Sequence, residues 1–271
     1  MSGPRSIFIS GGGSGIGRAI AQHFAARGWF VGLGDINEAG MAGTANALPQ
    51  GDFSRHPLDV CISDQWRQAL EDFAEAAGGT IDVVVNNAGI GHGGSLTELS
   101  EAQIDRVIDV NFRGAVYGAR AAYPWLKASA PGSCLLNIAS ASAMYGVAGM
   151  AIYSATKFAL RSITEALDVE WENDGITVCS LMPGFIDTPM LRQPANQNTS
   201  RTKREAAIAA GMELTPVERV AEAAWDAVHG HKVHVFVGRT ARSVAFLSRW
   251  APGIVRNRSR RIARTRLSHD S

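Results

Sequence analysis

The sequence predicts a doubly wound α/β fold: a single domain around a seven-stranded parallel sheet, followed by a basic C-terminal tail. Three observations predict it. Short apolar runs alternate with longer stretches of helical period along the chain, the pattern of strand and helix units that cross over on the faces of one sheet. A glycine cluster at 11–17 follows the first apolar run, where such folds turn a strand sharply into a helix. The second apolar run ends on an acidic residue, Asp35, 18 residues after Gly17. The 271 residues, 46% apolar and 19% charged, suffice to bury a sizeable core and are too apolar for a disordered chain.

Taken in order, short runs at 6–10, 30–35, 56–58, 83–86, 133–138, 177–182 and 233–237, most of them apolar, are the candidate strands. Between them, helical periodicity predicts helices near 16–27, 38–47, 63–77, 101–127, 152–173 and 216–229. Two stretches break the rhythm. Residues 183–215, rich in Pro, Asn, Thr and Arg, lie on the edge of the sheet where ligands of open α/β folds bind, and are expected to form a lid. The chain from 239 to 271 holds nine arginines and one aspartate, so this tail carries +8 and the remainder −7. The expected division is therefore a folded α/β domain at 1–238 and an Arg-rich extension at 239–271.

Cys61, Cys134 and Cys179 have no paired spacing, which points to buried thiols rather than a disulfide framework or a zinc site. His229, His231 and His234 cluster near a turn without a carboxylate or cysteine at ligand spacing, and are expected to be solvated; no metal site is expected. The chain runs from Met1 almost directly into the first strand, and no stretch has the length of a membrane span. A cytoplasmic location follows as the expectation.

The glycine cluster lets the backbone approach a ligand closely and aims helix N-terminal amides at a pyrophosphate, which makes Gly11, Gly13, Ser14, Gly15, Ile16 and Gly17 candidate dinucleotide contacts. Asp35, with Ile36 beside it, matches the acidic residue that bonds the adenosine ribose hydroxyls. Its charge would repel a 2′-phosphate, so NAD is expected over NADP. Asp59 and Val60 end the third strand, where they would meet the adenine; Asn87, Ala88 and Gly89 follow the fourth, where small residues admit a ligand.

Tyr153 and Lys157 are four residues apart in a helical stretch and share one face. A neighbouring ammonium favours phenolate, so the pair predicts a tyrosine held below its usual pKa of about 10 and usable as an acid or base. Ser140, which follows the fifth strand, would place its hydroxyl at the same sheet edge, with Ser142 as the local competitor.

Together these motifs resemble the short-chain dehydrogenase/reductase family over about residues 5–238: the glycine loop, Asn86 to Gly89, Asn111, Ser140, Tyr153, Lys157 and Pro183-Gly184 match in order and spacing. The resemblance implies a Rossmann fold and hydride transfer between NAD(H) and a secondary alcohol or ketone. It casts Tyr153 as proton donor or acceptor, Ser140 as its partner at the substrate oxygen, and Lys157 as a ligand of the nicotinamide ribose that tunes Tyr153. Asn111 would hold a water beside Lys157, and Pro183, Gly184, Ile186 and Thr188 would pack on the nicotinamide.

Substrate contacts are expected from Ser140, Ser142 and Tyr153 and from an apolar set, Met144, Val147, Met150, Phe185, Met190 and Leu191, which favours a hydrophobic alcohol or ketone. Many tetrameric relatives end soon after the seventh strand, whereas this chain continues past Gly238, so a homodimer through the helices at 101–127 and 152–173 is expected, with a tetramer as the alternative. The tail mixes Phe246, Trp250 and Ile254 with Arg249, Arg256 and Arg258; it is expected to pack on the acidic body or a partner subunit, with peripheral contact to an anionic membrane as a second possibility. No nucleic-acid module is recognisable. The rival functions are a non-catalytic NAD-binding redox sensor or scaffold, whose signature would be loss of Tyr153 or Lys157, and an epimerase or dehydratase using the same pair.

Overall fold

The structure, a computed structural model, describes residues 4–195 and 199–267. Seven strands form one parallel sheet: β1 (Ser6–Ser10), β2 (Phe30–Asp35), β3 (Phe53–Pro57), β4 (Val83–Asn86), β5 (Ser133–Ile138), β6 (Ile176–Pro183) and, last in sequence, β9 (His234–Val237), in the order β3-β2-β1-β4-β5-β6-β9. The order reverses between β1 and β4. That reversal opens a crevice beyond the carboxyl ends of these two strands, which places the ligand site before any side chain is considered.

Helices α1 (Gly15–Ala25), α2 (Glu38–Ala45) and α3 (Ser63–Ala76) follow the first three strands. Alternation along β1 feeds two cores: Ile7 and Ile9 join Phe24, Trp29 and Val220 on one face of the sheet. Phe8 joins Trp66, Phe73 and Leu126 on the other. Edge strand β3 starts three residues before the predicted 56–58. Its face is half solvated, so Ser54 and Arg55 dilute the apolar signal without breaking the ladder to β2.

The predicted helix at 101–127 is two helices joined by a π turn: α4 (Glu101–Ile108), Asp109–Arg113 in the wider winding, and α5 (Gly114–Ala128). Ser100 and Gln103 close a reciprocal cap at its start. The extra residue of a π turn shifts the helical phase, and Asn111, inside it, is almost fully buried. Helix α6 (Ala151–Glu170) carries the Tyr153 and Lys157 pair.

Between β6 and α8 (Val217–Val228) the expected lid contains regular structure: β7 (Phe185–Ile186) pairs parallel with β8 (Leu214–Thr215), and α7 (Lys203–Ala209) begins at a Thr202–Glu205 cap. Past Gly238 the chain stays on the body as α9 (Arg239–Trp250), followed by α10 (Pro252–Leu267). Ala241 is fully buried and Val244 nearly so.

Two smaller expectations change. Cys134 and Cys179 are buried on β5 and β6, but Cys61 is only half-buried. The histidine cluster is not simply solvated: His234 bridges Ser180 and Glu165, and the ring of His229 packs on Trp225 at 4.2 Å. Among the described residues no group of His, Cys, Asp and Glu is arranged to hold a metal ion.

Candidate active site

A cavity of about 440 Å³ lies beyond the carboxyl ends of the central strands. One wall is the turn from β1 into α1. Gly11 and Gly15 adopt left-handed backbone with φ of 69° and 53°, which only glycine takes without strain. A Cβ on Gly17 would run into the Gly11 carbonyl and the Asn87 amide, so α1 can start against the loop only because residue 17 has no side chain. The loop is also tied to its neighbours: Asp35 Oδ2 accepts from the Gly13 amide at 2.9 Å, and Asn87 Nδ2 donates to Ser10 O at 2.8 Å. Ser10 Oγ donates to Val85 O and accepts from the amides of Asn87 and Ala88, which joins the ends of β1 and β4.

Arg18 is spent within this wall, on Gly13 O at 2.7 Å and Thr44 Oγ1 at 2.9 Å. Asp35 and the exposed Ile36 form the rim beside it, with Asp59 and Val60 next along. Asp59 accepts from the Cys61 amide and lies 3.8 Å from Arg106.

The opposite wall carries the titratable groups. Ser140 ends the strand segment after β5, and Ser142, in the short turn that follows, donates to Ser140 Oγ at 2.7 Å. That leaves the Ser140 hydrogen free to point at Tyr153. The site does not hold Tyr153 below its ordinary pKa as the sequence predicted: burial pushes the phenol up, and the hydrogen bond from Ser140 only partly opposes this. Lys157 is engaged elsewhere: its Nζ donates to Ile138 O at 2.8 Å and sits 5.7 Å from the centre of the Tyr153 ring, while burial drops its own pKa to about 8. Desolvation of the phenol therefore sets the direction of its shift.

Of the residues singled out from sequence, Gly11, Ser14, Gly15, Ile16, Asp35, Ile36, Asp59, Val60, Asn87, Ala88, Gly89, Ser140, Ser142, Tyr153, Lys157, Pro183, Gly184, Ile186 and Thr188 line this one cavity. Val147, Met150, Phe185, Met190 and Leu191 line its apolar end. Gly13 and Gly17 stand behind the lining. Met144 does not face the cavity: it packs near Leu160 and Met182, with its sulfur 3.3 Å from Arg161. Asn111 also stands behind, bonding both the amide and the carbonyl of Ile90 at 2.8 Å and reaching Thr156 at 3.3 Å. Its side chain therefore pins the loop after β4 where it passes Lys157.

Sequence reasoning missed Tyr145, Lys203, Thr240 and Val244, all on the cavity wall. Lys203 Nζ donates to Gly91 O at 2.8 Å and Gln193 Oε1 at 3.1 Å, fastening α7 over the site. No motif marks it. Thr240 and Val244 were hidden because the tail was read as a mixture of arginines and apolar residues making a surface, whereas Ala241 and Val244 share a helical face turned to the body.

Residues 5–199 match the family model described as short chain dehydrogenase. The chain belongs to the short-chain dehydrogenase family. Among relatives of this short-chain dehydrogenase is an uncharacterized oxidoreductase of Staphylococcus aureus (strain USA300), 35% identical over 197 residues, which cover 73% of this chain and 84% of that one. The probable oxidoreductase EphD of Mycobacterium bovis is 34% identical over 189 residues, 69% of this chain and 32% of EphD. Among solved structures, a 3-ketoacyl-(acyl-carrier-protein) reductase from Brucella melitensis complexed with NADH is 28% identical with a TM-score of 0.76, over 87% of this chain and 97% of that one. A short chain dehydrogenase/reductase from Burkholderia phymatum in complex with NAD gives 25% and 0.79, over 90% and 92%. Levodione reductase gives 25% and 0.79, over 90% of this chain and all of that one.

Proposed function

We propose that this oxidoreductase moves a hydride between NAD(H) and an apolar secondary alcohol or ketone, with Tyr153 as general acid and base. The observation that carries this reading is that the glycine cradle faces the buried Ser140 and Lys157 and the half-buried Tyr153 across a single cavity at the switch point of the sheet. The cradle suits a pyrophosphate, since its glycines leave no Cβ in the way and α1 directs its N-terminal amides there. Asp35 at the rim, with Arg18 already committed to Gly13 and Thr44, favours NAD over NADP. The NAD-bound and NADH-bound relatives agree with that choice.

When bound, the nicotinamide would give a hydride to a carbonyl carbon or take one from an alcohol carbon. Tyr153 would pass its hydroxyl proton to the substrate oxygen in reduction and recover it in oxidation. Ser140, oriented by Ser142, would hold that oxygen and stabilise the phenolate left behind. Lys157 would hold the ribose and, with Asn111 and a water beside it, return the proton to Tyr153. Val147, Met150, Phe185, Met190 and Leu191 would receive the substrate's apolar part.

We assign residues 1–238 to the NAD-binding catalytic domain and 239–271 to an extension whose first helix adds Thr240 and Val244 to the cavity wall. We assign the chain to homodimers through α4, α5 and α6, with tetramers as the alternative; α6 leaves Phe158 and Val169 exposed. We place it in the cytoplasm, where its three free thiols would stay reduced; no helix among the described residues is long and apolar enough to cross a membrane.

The test is NADH absorbance with a panel of apolar secondary alcohols and ketones. Turnover with NAD(H) on at least one supports the proposal. NAD binding without turnover on any would favour the redox sensor, and substrate inversion without net NADH change would favour the epimerase.

A further inference from the structure

Helix α9 has two unlike faces. At 3.6 residues per turn, Ala241, Val244, Ala245 and Ser248 fall within about 100° on one side, and Arg239, Arg242, Phe246, Arg249 and Trp250 within about 100° on the other. The first side faces protein, and Val244 together with Thr240 is part of the wall of the catalytic cavity. The second side faces out: Phe246 and Trp250 are 64% and 69% exposed, and Ile254 at the start of α10 is 57% exposed. A lone exposed apolar side chain needs no explanation. Three large ones within nine residues, set among arginines, form a surface with a purpose.

Charge says which purpose. No Asp or Glu occurs between Asp226 and Asp270, and the +8 of the tail stands against −7 on the rest of the chain. An anionic surface would therefore repel the body and draw the molecule in tail first. A second copy of the acidic body could meet the arginines, but it would also need an apolar recess for Phe246, Trp250 and Ile254. A bilayer of anionic lipid offers phosphates and hydrocarbon together.

We propose that α9 and the start of α10 dock this enzyme on an anionic lipid bilayer, and that the cavity walled by the back of α9 takes its substrate from the lipid. The docking stands on the helix alone; the delivery rests on the apolar-substrate reading above.

Co-sedimentation of the full chain with phosphatidylglycerol vesicles and with phosphatidylcholine vesicles tests the docking without any need for turnover. Binding should be at least about tenfold tighter to phosphatidylglycerol and should weaken as salt is raised. The double variant Phe246→Ser/Trp250→Ser should lose at least about tenfold of that binding, while its NAD affinity by calorimetry stays that of the parent. Equal affinity for the two lipids, no sedimentation with either, or full binding by the double variant would overturn the docking. So would a double variant that binds no less lipid but sediments as a smaller oligomer, which would give this face to a second copy. Given docking, a ketone dissolved in the bilayer should be reduced faster on phosphatidylglycerol than on phosphatidylcholine vesicles; equal rates would overturn the delivery.

Discussion

Replacing Lys157 by methionine should make the free enzyme more stable while removing its activity. A lysine whose pKa is about 8 in the fold, against 10.5 unfolded, is penalised in its charged form. At pH 7 both states are protonated and the full penalty, about 3 kcal/mol, is present. As pH rises past 8 the folded state sheds its proton before the unfolded state does, so the native enzyme gains stability and the penalty falls to about 1.4 kcal/mol by pH 9.5. Lys157→Met removes the penalty and gives up the hydrogen bond to the buried Ile138 O, worth about 2 kcal/mol with a charged donor and about 1 kcal/mol with a neutral one. The variant should therefore be stabler by about 1 kcal/mol at pH 7, and by less than about 0.5 kcal/mol at pH 9.5. Urea denaturation of the ligand-free proteins at both pH values reads this directly. A variant less stable than the parent at pH 7, or a gap that does not shrink with pH, would mean that the ammonium is solvated and that the account of Lys157 and Tyr153 is mistaken.

Two further outcomes follow from the nucleotide wall. NAD should bind at least about tenfold more tightly than NADP, a difference of about 1.4 kcal/mol, by titration calorimetry; equal affinities would mean that a cation reaches the 2′-phosphate. Gly17→Ala should weaken NAD by at least about a hundredfold, or ~3 kcal/mol, because the Gly11 carbonyl and the Asn87 amide must both move. An affinity like the parent's would show that the cradle is looser than described.

The parts of the fold written in local pattern were legible: short apolar runs became central strands, and the residues after them met at one edge. Edge strand β3 was legible only in part, since Ser54 and Arg55 sit in a half-solvated ladder. The π turn around Asn111 was not, because one added residue shifts a helical phase without altering composition. Met144 was placed wrongly for a related reason. An apolar residue beside a site can as well face the core, and here it packs against Leu160 and Met182. Tyr153 shows the largest gap, since spacing gave its neighbour Lys157 correctly, whereas the sign of its pKa shift depended on burial, which no spacing states. Thr240 and Val244 were overlooked because nine arginines dominate a segment whose inner face is apolar.

Tyr153→Phe tests the central claim most directly, since it removes one hydroxyl and keeps the ring in place on α6. Steady-state NADH kinetics on a substrate turned over by the parent should show kcat lower by about 10² to 10⁴, the usual cost of a lost general acid or base, with NAD affinity by calorimetry little changed. A Tyr153→Phe enzyme that keeps near-parent turnover would contradict the account, because the proton would then be passing through another group.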